Sequence, residues 1–381
     1  MLGCVPFGLR SIVRILHVFK TYLPDTHGGI EHVIRQMCLA TKGAGIDHRI
    51  LTLSRRPVPE YLEVDGIPVR RVRQDIDLAS TGLSRAAFKA FAEEARVVDL
   101  VHFHFPWPFM DVLQLLIRPG KPYVVSYHSD IVKQRHLLKL YAPLMQRFLS
   151  NATCVIAATE PYRQSSPTLQ RLGTKVRVIP YGLDPASYPE ADPQRLASWR
   201  QRLGPRYLLF VGVLRYYKGL HLLLEALQGL DYPLAIVGAG PEGEALRAQC
   251  ERLGLRNCHF LGRQSEEDLA ALYAGCESFV FPSHLRSEAF GMALLEAAMY
   301  GKPLLSCEIG SGMSEINLNG QTGIGVPPEP AALREGLMTL WEDAELRTRY
   351  GQAARARFET HFRSEIMASK LIEVYREALA K

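Results

Sequence analysis

Two glutamates, Glu288 and Glu296, bracket the stretch S-E-A-F-G-M-A-L-L-E-A, which is otherwise almost entirely apolar and holds one glycine. A buried helix has no use for a carboxylate at each end. Carboxylates are good acceptors for paired hydroxyl donors. Gly291 marks a helix start, which leaves Glu288 in the preceding loop and puts Glu296 on the helix. Eight helical residues span about 12 Å. That is the scale of a sugar at one end, a ribose at the other and a pyrophosphate between. Amides at the helix N-terminus suit the phosphates. The plainer alternative is a capped helix with one exposed glutamate.

Other residues fit the same chemistry. In F-V-G-V-L-R-Y-Y-K-G (210–219), a strand runs into a loop with Arg215 and Lys218. Two cations beyond a strand's carboxyl end suit a pyrophosphate. Gly28 and Gly29, in G-G-I-E, precede a helix whose N-terminus would attract an anion. V-D-L-V-H-F-H and S-Y-H-S-D place His102, His104, His128 and Asp130 at or just past strand ends. His102 and His104 share one face and read as core or lining residues, whereas His128 leaves the sheet and reads as functional. G-A-G-P-E-G (238–243) has the form of a dinucleotide fingerprint. It sits on the wrong strand, so Gly240 reads instead as a turn that lets a nucleotide approach the backbone. Asp75-Ile76-Asp77 is a lone Asp-x-Asp in a polar loop and supports no metal site.

Alternating strands and helices must position these residues. Strand-like runs at 13–19, 47–53, 98–104, 122–128, 152–158 and 176–180 alternate with helical patterns, including one from about Glu31 to Lys42. After Asp184 comes a Pro-rich stretch, P-A-S-Y-P-E-A-D-P, and the pattern restarts with runs at 207–212, 233–238, 258–262, 278–282 and 302–306. Such alternation implies right-handed β-α-β units and parallel sheets. The fold class is α/β: two doubly wound, Rossmann-like domains, 1–184 and 185–360, and a C-terminal helix, 361–381, packing back across them. Ligands of such sheets bind beyond the carboxyl ends of the strands, so the expected site is a cleft between facing domains.

Composition narrows the function classes. No run of 18 apolar residues occurs, so no membrane span is expected. The N-terminus, with Arg10 and Arg14, lacks a signal-peptide h-region and reads as unprocessed. Seven scattered cysteines without a Cys-x-x-Cys pair signal neither a disulfide framework nor a zinc site and suit a cytoplasmic protein. Residues 1–190 hold 24 Lys+Arg against 16 Asp+Glu, a net +8, and the remainder 21 against 23, a net −2. The basic first half implies an anionic partner, such as membrane lipid or phosphate, and no motif supports nucleic acid. The stretch 131–149 mixes Lys133, Arg135, Lys139 and Arg147 with a Leu/Met/Phe stripe. It reads equally as a helix lying on an anionic membrane and as a core stripe with a solvated basic face.

Glu288-x7-Glu296 with Phe290-Gly291 inside it, Gly28-Gly29-x-Glu31, Arg215-x-x-Lys218-Gly219 and His128 together resemble family-4 retaining glycosyltransferases across essentially the whole chain. In detail the sequence is similar to bacterial O-antigen mannosyl- and rhamnosyltransferases that use GDP-sugars. The resemblance implies the GT-B fold, two facing doubly wound domains with the active site between them. It implies that Glu288 binds donor-sugar hydroxyls and stabilises the transition state, and that Glu296 holds the ribose. Phe290 and Gly291 would present backbone amides, Arg215 and Lys218 would neutralise the departing pyrophosphate, His128 would contact the sugar, and Gly29 would approach the phosphate. The activity expected is metal- and cofactor-free transfer of mannose or D-rhamnose from a GDP-sugar to a polyprenyl-diphosphate-linked glycan. Its place would be lipopolysaccharide O-antigen assembly, in the cytoplasm or on the inner face of the membrane. Many members carry Arg after the strand glycine, where this chain has Val213. A nicotinamide oxidoreductase using 238–243, a non-catalytic sugar-nucleotide-binding protein and a same-fold epimerase stay open as alternatives.

Overall fold

The computed structural model describes residues 12–78, 81–131 and 135–380, and the side chains of all of these but 135–140. Cys4, Arg10 and Lys133 lie outside those residues, as do the side chains of Arg135 and Lys139. The chain forms two compact units. One comprises Met1–Gly182 together with Ser364–Lys381, the other Leu183–Arg363. The last helix, Ser364–Leu379, therefore belongs to the first unit.

The first unit holds β1 (Val13–Val18), β2 (Ile46–Ser54), β3 (Tyr61–Val64), β4 (Ile67–Arg73), β5 (Ile76–Leu78), β6 (Thr81–Leu83), β7 (Leu100–Phe105), β8 (Tyr123–Tyr127), β9 (Cys154–Ala157) and β10 (Val176–Val178). Eight of them form one sheet in the order β10-β9-β8-β7-β1-β2-β4-β3. All neighbours are parallel except the β3–β4 pair. Every residue of β7 and β8 is buried, as expected of parallel strands covered on both faces by helices. The helix Gly29–Lys42 packs against Ser364–Leu379, which also touches β7 and β8.

Strands β3 to β6 are absent from the sequence reading. Asp65 and Gly66, both at positive φ (51° and 71°), form a two-residue turn joining β3 to β4. An Asp-Gly pair is a strong hairpin signal. Where a polar loop is expected around Asp75-Ile76-Asp77, β5 instead pairs antiparallel with β6. Asp75 accepts from the Arg85 amide and Asp77 pairs with Arg55, so these carboxylates serve local structure.

The second unit holds β11 (Leu208–Val211), β12 (Leu234–Val237), β13 (Cys258–Gly262), β14 (Ser278–Phe281), β15 (Leu304–Cys307) and β16 (Gly323–Val326). Its order is β13-β12-β11-β14-β15-β16, parallel throughout. The chain starts in the middle, moves outward to β13, then returns to the other side of β11. Strand order thus reverses between β11 and β14, the point at which sheets of this kind bind ligands beyond the carboxyl ends of their strands.

Candidate active site

The loops leaving β11 and β14 meet at that reversal. Lys218 ends the 3-10 turn Tyr216–Lys218, and its Nζ lies 2.5 Å from Glu288 Oε2. Ser283 Oγ donates to the same oxygen at 3.3 Å. The ammonium sits 4.4 Å from the centroid of the Phe281 ring and 5.4 Å from that of Tyr217. Both partners are nearly enclosed, with side-chain exposures of 11% and 12%. Gly219 makes this approach possible. Its φ is +70°, and a Cβ there would lie 1.9 Å from the Pro282 carbonyl oxygen. Only glycine satisfies both constraints. The His284 amide, bonded to the Tyr217 carbonyl at 3.0 Å, ties the two loops again. Arg215, three residues earlier, is exposed.

Gly291, with φ +94°, caps the helix Met292–Met299, so Glu288 lies in the loop and Glu296 on the helix. The Phe290 side chain is 3% exposed and meets Phe362 edge to face, which leaves only its backbone for a ligand. Glu296 is half-buried. It accepts from Tyr273 Oη at 2.8 Å and from Tyr188 Oη at 3.3 Å. Burial raises its carboxyl to about 7, and the two tyrosines oppose that rise.

Gly240 has a packing reason for being glycine. A Cβ there would lie 2.3 Å from the Leu214 carbonyl oxygen, and one at Gly238, where φ is +128°, 2.0 Å from that of Gly212. The G-A-G turn is shaped by the loop after β11, and this packing accounts for the fingerprint without a dinucleotide.

The first unit brings its histidines together. His17 on β1, His48 on β2, His104 on β7 and His128 just past β8 form a continuous hydrogen-bonded row at 2.9 to 3.0 Å. It ends at Thr41 Oγ1 on one side (2.8 Å) and Tyr181 Oη on the other (2.6 Å). His102 lies beside the row, bonded to Tyr375 Oη and Ser126 Oγ at 2.8 Å each. Burial, foremost, pushes all five rings far down, to about 3 for His48, His102 and His128. All five are therefore neutral at pH 7. His102 and His104 are core residues, and His128, expected at the reacting centre, is 6% exposed with both nitrogens engaged. Among the described residues, His17–His102–His104 and His17–Cys38–His48 are close enough to share an ion. Both nitrogens of each of these rings are already committed to hydrogen bonds, and burial holds the Cys38 thiol up in its protonated form.

Gly28 and Gly29 open the helix Gly29–Lys42, but a carboxylate already stands there. A Cβ on Gly28 would lie 2.4 Å from Glu31 Oε2. Glu31 is 7% exposed and accepts from Thr21 and Thr26 at 2.8 and 2.7 Å. A ligand approaching the glycine pair meets this carboxyl group. In the 131–149 stripe, the side chains of Met145, Phe148 and Leu149 are core, which favours the core reading for that half.

Sequence reasoning missed Ser283, Tyr188, Tyr273, Thr41, His17, His48 and Tyr181. Histidines inside apolar strand runs were the available signal for two of them. The tyrosines carried none, because their partners are remote in sequence.

Two doubly wound units in one chain are the architecture of the GT-B glycosyltransferases. The chain belongs to glycosyltransferase family 4. The family models "Glycosyltransferase Family 4" and "Glycosyl transferases group 1" match residues 27–187 and 193–357. It is 54% identical over 351 residues to the D-rhamnosyltransferase WbpZ of Pseudomonas aeruginosa, covering 92% of each chain. It is 43% identical to the O-antigen chain mannosyltransferase C of Escherichia coli, covering 96% of this chain and 99% of that one. Among solved structures it is similar in fold to sucrose-phosphate synthase from Thermosynechococcus elongatus (TM-score 0.80, 21% identity, 97% and 99% of the two chains). Another is Anabaena Alr3699/HepE in complex with UDP and glucose (TM-score 0.78, 21% identity, 96% and 99%).

Proposed function

We propose that this glycosyltransferase moves mannose or D-rhamnose from a GDP-sugar to a polyprenyl-diphosphate-linked glycan in O-antigen assembly, with retention of configuration. The observation that carries the reading is the Lys218–Glu288 pair at the strand reversal. The names of the relatives at 54% and 43% identity supply the sugar and pathway classes.

The bond that breaks joins the anomeric carbon to the β-phosphate oxygen, and the nucleotide diphosphate leaves with the electron pair. Charge grows on that phosphate as an oxocarbenium-like centre forms. Lys218, Arg215 and the first amides of Met292–Met299 meet the developing charge, and each well-placed donor contributes a few kcal/mol. Protein cations and amides thus supply what a divalent ion would, so the proposed transfer is metal- and cofactor-independent. Glu288, held by Lys218 and Ser283, accepts from sugar hydroxyls, and Glu296 accepts from the ribose. The acceptor hydroxyl attacks from the face the leaving group vacates, its proton passes to the phosphate oxygen, and the new glycosidic bond keeps the old configuration.

Among the described residues no helix is long and apolar enough to cross a membrane. The proposed site of action is the inner face of the cytoplasmic membrane, where the basic first half of the chain would meet anionic lipid or the acceptor's diphosphate. A thermal-shift panel of GDP, UDP, ADP and dTDP tests the donor assignment. GDP should give the largest shift, and an equal or larger shift with another nucleotide would overturn it.

A further inference from the structure

The histidine row has a direction. Each ring–ring link joins the Nδ1 of one imidazole to the Nε2 of the next: His128 Nε2 to His104 Nδ1, His104 Nε2 to His17 Nδ1, and His17 Nε2 to His48 Nδ1. A neutral imidazole has one N–H donor and one lone-pair acceptor. The rings are neutral, so each link needs one of each, and one ring's choice forces its neighbour's. Only two arrangements leave no link broken: every ring protonated at Nε2, or every ring protonated at Nδ1.

Thr41 decides between them. Its hydroxyl has one hydrogen, which it gives to the Met37 carbonyl at 2.7 Å. Toward His48 Nε2, 2.8 Å away, Thr41 Oγ1 can then only accept. His48 must be protonated at Nε2, and so must His17, His104 and His128. At the far end, His128 is left with a lone pair at Nδ1, which here takes the Tyr181 hydroxyl hydrogen at 2.6 Å.

We infer that Thr41 is a positioning residue that acts through three buried imidazoles to fix the proton of His128, holding its Nδ1 as a hydroxyl acceptor. A buried ring with a free choice of tautomer would present a donor or an acceptor indifferently. This one presents an acceptor, the complement of a sugar hydroxyl, with Tyr181 occupying the place. The relay stands on the hydrogen-bond geometry and on the neutrality of the buried rings, whereas its kinetic consequence rests on the contact between His128 and the donor sugar that the family resemblance implies, made in place of Tyr181.

Nitrogen-15 NMR of histidine-labelled protein tests the relay, because ring nitrogens with and without a proton resonate far apart. In the wild type, His48, His17, His104 and His128 should all show the Nε2–H form. Thr41→Val keeps the shape of the side chain but removes the acceptor. An N–H without an acceptor is worse tolerated in a protein interior than an unused lone pair. The four rings should therefore switch together to Nδ1–H, and Thr41→Ser should keep the wild-type pattern. A wild-type spectrum with any of the four in the Nδ1–H form overturns the inference, and needs no variant to fold. So does a Thr41→Val spectrum in which His48 alone changes, or stoichiometric zinc in the purified protein with metallated ring nitrogens. In the folded variant kcat/KM should fall about tenfold, the loss of one hydrogen bond to a ligand hydroxyl, and Thr41→Ser should restore it. If the tautomers switch and kcat/KM does not move, the relay stands and the sugar-contact role of His128 falls.

Discussion

Lys218 Nζ lies 2.5 Å from Glu288 Oε2, across 70 residues of sequence, where strand order in the second sheet reverses. The pair is a structural one, and the proposed function makes it chemical as well. Each charge is nearly enclosed, so each depends on the other, and both stand where donor charge and hydroxyls would sit.

Removing one partner should cost more stability than removing both. Lys218→Met leaves an enclosed carboxylate unpaired, at a cost of about 3 kcal/mol. Lys218→Met/Glu288→Gln should regain most of that in urea unfolding yet remain inactive, with turnover down at least about 100-fold, as when a charge-stabilising donor is lost. Recovery of activity with stability would show that the pair serves folding alone.

The two glutamates should separate kinetically. Glu288→Ala should mainly abolish turnover, and Glu296→Ala should mainly weaken donor binding. Equal, purely binding losses at both, measured by calorimetry and initial rates, would contradict the assigned roles.

Glu296 should make donor binding pH-dependent. With its carboxyl raised to about 7, its ionised fraction climbs about tenfold between pH 6 and pH 8. Donor affinity should strengthen over that range by up to the same factor, and Glu296→Gln should flatten the profile. The stability effect has the opposite sign. The folded state keeps a proton there that the unfolded chain releases near its ordinary value, so this stabilisation is full at low pH and is lost as pH rises through about 7.

The histidines should make the first unit acid-sensitive. Their folded values lie far below the ordinary 6.5, at about 3 for three of them. Between those limits the unfolded chain binds more protons, so stability is full above about 6.5 and falls as pH falls toward 3. Each of the five rings contributes up to about 1.4 kcal/mol per pH unit. Urea midpoints at pH 7, 6 and 5 should drop with increasing steepness, and a flat series would contradict the buried neutral rings.

Gly219→Ala should separate the two loops. Strain at φ +70° and a collision with the Pro282 carbonyl act together, so we expect a loss of about 2–3 kcal/mol and a collapse of kcat. Gly240→Ala should lower the melting temperature without changing nicotinamide-cofactor binding, which should be absent in both proteins.

Much of the fold could be read from local pattern. Apolar strand runs alternating with helices gave both doubly wound units, and Gly291 gave the start of the helix that carries Glu296. Strands β3, β5 and β6 escaped because they are short and partly exposed, although Asp65-Gly66 marked the turn from β3 to β4. The pairing of Lys218 with Glu288 was not legible, because each was read toward a ligand and only the strand order brings them together. The histidine row escaped for the same reason: period two put His102 and His104 on one face, but nothing local placed His17 and His48 beside them. Gly240 and Gly28 were visible as glycines, yet the atoms that demand a missing Cβ come from Leu214 and Glu31.

The central claim is retaining sugar transfer at the Lys218–Glu288 pair. Its most direct measurement is the anomeric proton NMR signal of product formed from GDP-mannose or GDP-D-rhamnose and a polyprenyl-diphosphate glycan, with EDTA present. The account predicts a new glycosidic linkage with the donor's configuration, one GDP released per linkage, and loss of product in Lys218→Met and Glu288→Gln. An inverted linkage, no product from either donor, or undiminished product from those variants would contradict it.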